Sequence, residues 1–139
     1  MPARPTDDGR TVPGVVHARS LTLRMARVNT ASRGAREYLR TALTDVESDT
    51  LETVLLVTTE LITNAVLHAE GPIDLTVDVG PEQLVVQVFD CEPLPPLQQD
   101  HDLGRTDGRG IALVSMVSSD WGTRYHDGGK TVWAVIPRE

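Results

Sequence analysis

Cysteine is nearly missing from this chain: Cys91 stands alone, so no disulfide can close within it and no paired-thiolate metal motif exists. That suits a reducing compartment. Aromatic residues make up only 4%, so a core has to be assembled from Leu, Val, Ile and Ala. Basic residues are also in deficit. Thirteen Lys and Arg face twenty Asp and Glu, for a net charge of −7. This argues against duplex nucleic acid or an anionic lipid surface as the main partner, because both need a cationic surplus. No apolar run approaches the length expected of a bilayer span. The opening MPARPTDDGRTVPG lacks the hydrophobic stretch of a secretory leader. These deficits place the chain in the cytoplasm, with neither membrane nor nucleic acid as a direct partner.

What remains is material for one domain. The 139 residues, 40% of them hydrophobic, suffice for a single modest core. Residues 1–19 are rich in Pro, Gly, Arg and Asp and read as a mobile tail, leaving 20–139 as the folded unit. Leu21, Leu23 and Met25 alternate with Thr22 and Arg24 as a strand does. Asn29 or Thr30 stands where a helix cap belongs, and Ala31, Ala35, Tyr38, Leu39, Ala42 and Leu43 recur at helical spacing opposite Arg33, Arg36 and Arg40. A longer helix capped by Ser48 or Asp49 runs to about Ala69, where Gly71-Pro72 stops it.

Ile73 to Val79 and Leu84 to Phe89 then read as an antiparallel hairpin around Gly80–Gln83. Residues 90–108, with three prolines and four aspartates, form a long loop of the kind that serves as a lid. A short helix starts near Gly110 and buries Ile111, Val114 and Val117. Two final strands, Trp121–Tyr125 and Thr131–Ile136, flank His126-Asp127-Gly128-Gly129, with both tryptophans assigned to packing. The order β-α-α-β-β-α-β-β implies an α+β fold, a largely antiparallel sheet with helices on one face.

Four places carry polar groups suited to chemistry. On the long helix Glu60, Asn64 and His68 share a stripe about 80° wide. Leu56, Val57 and Leu67 flank it, so this helix is buried on more than one side, and a carboxylate and an amide there need partners. An amide oxygen is a hard, neutral ligand for Mg²⁺, and a carboxylate one turn earlier can orient or deprotonate an attacking group. The plainer reading is a polar helix face turned to water, with His68 favoured simply because it closes the helix. Asp90, at a strand end beside the loop, can accept a hydrogen bond from an exocyclic amine, or serve as a turn-forming residue ahead of Pro93. Asp107-Gly108-Arg109-Gly110-Ile111 leads into a helix, where backbone N–H groups and the helix dipole favour an anion; a glycine-rich helix start without a ligand reads the same way. Thr131 opens the last strand, facing a ligand or simply favouring strand.

Taken in order, these elements resemble the GHKL ATPases, the superfamily of gyrase-type, chaperone, histidine-kinase and mismatch-repair ATP-binding domains. Glu60-Leu-Ile-Thr-Asn64-Ala looks like its N box, Asp90 stands at the aspartate of its first glycine box, and Gly108-Arg-Gly110-Ile looks like its second. Within the superfamily, Gly129-Lys-Thr131-Val-Trp with Pro137 near the end is similar to the small anti-sigma-factor serine kinases. The resemblance implies a two-layer α/β sandwich with a mixed, largely antiparallel sheet. Its cofactors would be ATP and Mg²⁺. Asn64 would hold the metal, Glu60 would act as base or water-orienting group, and Asp90 would bind the adenine amine with Thr131 in support. Gly108, Arg109 and Gly110 would hold phosphates, and 91–107 would form the lid. The partners would be a sigma factor and an anti-anti-sigma protein that receives the phosphate on serine, and a homodimer fits the same pattern. The open sheet face or the first helix would receive partners. One departure is plain: Asp90-Cys91-Glu92-Pro93-Leu94 carries neither glycine of the usual Asp-x-Gly-x-Gly. A chain so altered fits a second role, holding a regulator without phosphotransfer.

Overall fold

A computed structural model describes residues 19–68, 70–91, 108–126 and 128–139. The expected tail, apart from Arg19, and most of the expected lid lie outside these residues. Eight elements follow in the expected order: β1 (Arg19–Met25), α1 (Ala31–Ala42), α2 (Ser48–His68), β2 (Glu70–Val79), β3 (Gln83–Cys91), α3 (Gly108–Val117), β4 (Asp120–His126) and β5 (Gly129–Pro137). The strands form one sheet in the order β1-β2-β3-β5-β4, and every described pairing is antiparallel. The fold is therefore α+β, helices layered on a sheet.

Alternation assigns the two faces. Ile73, Leu75, Val77 and Val79 of β2, Leu84, Val86 and Val88 of β3, and Val132, Ala134 and Ile136 of β5 share a core with Leu39, Leu43, Val54, Leu61, Ile62 and Ala65 of the helical layer. The intervening residues point the other way. There Val85, Trp133 and Val135 make a second buried cluster, so this face is closed at its centre and the expectation of an open sheet face fails there. The Trp133 indole is core, as expected, but of the smaller cluster.

α2 is the hub, in contact with α1, α3, β2, β3 and β5. By length and composition its Ser48–Leu67 stretch is apolar enough to cross a membrane, which corrects the expectation that no run came close. Here that apolarity is used for packing on two sides: Val54, Leu55, Val57, Thr58, Leu61, Ile62 and Ala65 are all buried, leaving only Leu56 and Leu67 among its large apolar side chains exposed.

Four local expectations are revised. Ser48 and Asp49 lie inside the first turn of α2 rather than capping it, and the Glu47 carbonyl accepts the Leu51 N–H at 2.8 Å. Thr30 holds the N-cap position of α1 without a side-chain capping bond. Gly71-Pro72 does not merely stop α2 but belongs to β2. The β2–β3 register slips between Glu70 and Asp74, and Gly71 adopts φ +77°. An irregularity is where a strand tolerates a left-handed glycine and a proline that cannot donate to the ladder. Arg36, expected on the solvent side of α1, instead donates to the Thr59 hydroxyl on α2 at 3.0 Å.

Ion pairs tie the rim. Arg19 bonds Asp45 at 2.6 Å, Arg24 bonds Asp74 at 2.7 Å, and Arg138 bonds Glu47 at 3.2 Å. Each arginine's hydrogen bonds hold its carboxylate partner below the usual range. A carboxylate depressed in the folded state contributes stability above its ordinary value near about pH 4 and loses it as pH falls through the lower folded value. The urea midpoint should therefore drop on going from neutral pH to about pH 3, by less in high salt because these pairs sit near solvent. A midpoint that held or rose on acidification would contradict this account.

Candidate functional site

The helical face of the sheet and the inner side of α2 enclose the polar residues that stand out against the apolar core. Asn64, in the C-terminal half of α2, is 5% exposed, and its side-chain oxygen Oδ1 has no hydrogen-bond partner. An amide oxygen buried without a donor costs roughly 1–3 kcal/mol, so a group that completes it is called for. Glu60, one turn earlier on the same side, is half-buried. The helical spacing read from sequence thus places both, with the acceptor at Asn64 unfilled.

On the sheet, Asp90 lies within β3, not beyond its end. It pairs in register with Lys130 of β5. Both side chains sit on the helical face, because Val88 and Val132, two residues away on each strand, belong to that core. The Lys130 ammonium donates to both carboxylate oxygens of Asp90, at 3.0 and 3.2 Å. The pair is closed from solvent, Asp90 at 1% and Lys130 at 2% exposure. Just before Lys130, the β4–β5 hairpin turns with Gly128 at φ +84° and His126 paired to Gly129. Gly129 approaches β3 so closely that a β-carbon there would run into the Asp90 carbonyl, with Phe89 Cε1 at 3.0 Å. Only glycine lets β5 begin this near to Asp90.

Thr131 falls on the other face. It pairs with Phe89 and Arg124 and alternates with Lys130 and Val132, so the residue beside Asp90 is Lys130 and the supporting role expected of Thr131 has no geometry behind it. The signal was in the sequence: if Val132, Ala134 and Ile136 point inward, so must Lys130. Asp90 and Lys130 are forty residues apart, and spacing alone could not join them.

α3 begins at Gly108, two residues before the expected start near Gly110, and packs against α2. Gly108, Arg109 and Gly110 therefore form its first turn, whose N–H groups have no partner within the helix and which carries the positive end of its dipole. The side chain of Arg109, like that of His68, lies outside the described residues.

The donor set suits Mg²⁺. The ion is commonly held by one or two protein oxygens plus phosphates and water, and Asn64 Oδ1 is a neutral oxygen awaiting a partner. Among the described residues no group of three or more His, Cys, Asp or Glu could form an all-protein metal cage.

This arrangement is one of a class: residues 21–136 match the histidine kinase-like ATPase domain, a family of ATP-binding domains, and the chain belongs to that family. No curated protein matches it.

Proposed function

We propose that the chain is a cytoplasmic Mg²⁺- and ATP-dependent regulatory protein that phosphorylates a serine or threonine on a partner protein, acting as an anti-sigma factor toward an anti-anti-sigma protein. The observation that carries this reading is the buried, unpartnered Oδ1 of Asn64 one helical turn after Glu60. Mg²⁺, when bound, would screen the phosphate charges and stabilise the transferring group. The chain's own residues do the rest. Asn64 would hold the ion, the first turn of α3 would orient phosphate oxygens through its N–H groups, and Glu60 would accept the proton of the attacking hydroxyl. The apolar side chains around α2 exclude water, which strengthens each of these interactions.

A second reading, a module that sequesters a sigma factor or other regulator without phosphotransfer, is supported by one observation: the Asp90 carboxylate is already engaged by Lys130. Calorimetric titration with ATP, with and without Mg²⁺, separates the two. Binding that requires Mg²⁺ supports the kinase reading and is the expected result. No heat at millimolar ATP transfers the protein to the second.

A further inference from the structure

The Asp90–Lys130 pair decides how this site treats the base of a nucleotide. The inference rests on the reading of the site as a nucleotide site. Adenine's exocyclic amine would be recognised here by donating to the Asp90 carboxylate, and Lys130 Nζ already sits across both of its oxygens at 3.0 and 3.2 Å. A carboxylate can accept from more than one donor, but this one is only 1% exposed, so the amine would have to take the place that the ammonium holds. The contest is unequal, because a charge-assisted bond is roughly twice as strong as a neutral one. Displacing the ammonium would also strand a cation that is 2% exposed, a cost a neutral amine cannot offset. The backbone enforces this placement: Gly129 brings β5 hard against Asp90, so the next side chain along is delivered to the carboxylate.

We propose that Lys130 is a specificity-determining residue that stands in for the base amine, so that the protein binds nucleoside triphosphates through metal and phosphates with little preference for adenine. The ligand class is then a Mg²⁺-bound polyphosphate, read at Asn64 and the first turn of α3, with the base contributing little.

Titration of the full chain with Mg²⁺ and, in turn, ATP, GTP and inorganic tripolyphosphate tests this. The expected affinities agree within about threefold, and Lys130→Thr should raise the preference for ATP over GTP by about tenfold or more. A natural chain that already favours ATP by more than about tenfold, or a variant with unchanged selectivity, overturns the proposal while leaving the nucleotide site intact. If neither chain binds any of the three, the nucleotide reading itself fails and the proposal with it. Because Lys130→Thr leaves a buried carboxylate without its cation, a second measurement uses the natural chain. The ε-ammonium NMR signal of Lys130 should keep its position when Mg·ATP is added. A shift or loss on addition of Mg·ATP, absent with Mg·tripolyphosphate, means that adenine reaches Asp90 and overturns the proposal.

Discussion

Replacing Asn64 by Ala should abolish the Mg²⁺ dependence of nucleotide binding while leaving the protein at least as stable as before. The two halves of this result come from one atom. Asn64 Oδ1 is buried with no donor facing it, so the folded state carries a desolvation cost of roughly 1–3 kcal/mol that truncation removes. Against that stands the small cavity left by the lost amide, which costs a comparable amount, so the unfolding midpoint should stay level or rise slightly. The metal site has no such compensation. With the amide gone, the described residues offer no cluster of acidic, His or Cys ligands in its place, and a loss of about a hundredfold or more in Mg·ATP affinity follows, equivalent to about 3 kcal/mol. Calorimetry and urea denaturation on the same preparation check both. A stable variant with undiminished Mg²⁺-dependent binding would place the metal elsewhere. Stability held in reserve at a site of function is the usual exchange in such proteins.

The opposite balance is expected at the buried pair. Asp90→Ala should destabilise the fold by about 3–5 kcal/mol, because it leaves the Lys130 ammonium in the interior with its anion removed. Set against a total of roughly 5–15 kcal/mol for a domain, that loss brings the protein close to unfolding at ambient temperature. Lys130→Ala should cost a similar amount from the other side. The double change Asp90→Leu with Lys130→Met should recover most of it, since apolar side chains of similar volume can replace a buried pair at little cost. A double-mutant cycle by denaturant unfolding reads the coupling directly. Single variants that unfold at the natural midpoint would show that the pair is not buried in solution. One practical consequence follows for work on nucleotide binding. Substitution at Asp90 confounds the site with the fold, and Asn64 is the cleaner probe.

The contrast between these two sites marks what a linear reading can reach. Glu60 and Asn64 are four residues apart on one helix, so the 3.6-residue repeat places them on one side without any knowledge of the rest of the chain. The same holds for the alternating strand β2 and for the β4–β5 hairpin, where local chemistry decides. Element order and the α+β class followed from these local rules. The ends of elements were less legible. β3 runs on to Cys91 because Asp90 finds Lys130 across the ladder, and β2 starts before Ile73 because a bulge absorbs Gly71 and Pro72. Both outcomes depend on a partner strand that the local sequence does not contain.

Tertiary structure alone decided the rest. The sequence by itself determined which residues are apolar, at what period, and hence which side of each element must be buried. It could not say that α2, apolar enough for a bilayer, would find its burial between α1, α3 and the sheet. Nor could it say that Trp133 would close the far face with Val85 and Val135. It did not show that a lysine forty residues away would reach Asp90 before any ligand does. The physical reason is the same in each case. Periodicity is a property of one segment, whereas the partner of a buried charge is set by which strands pair and how closely. That closeness depends here on Gly129, the one residue with no side chain to hold β5 away from Asp90.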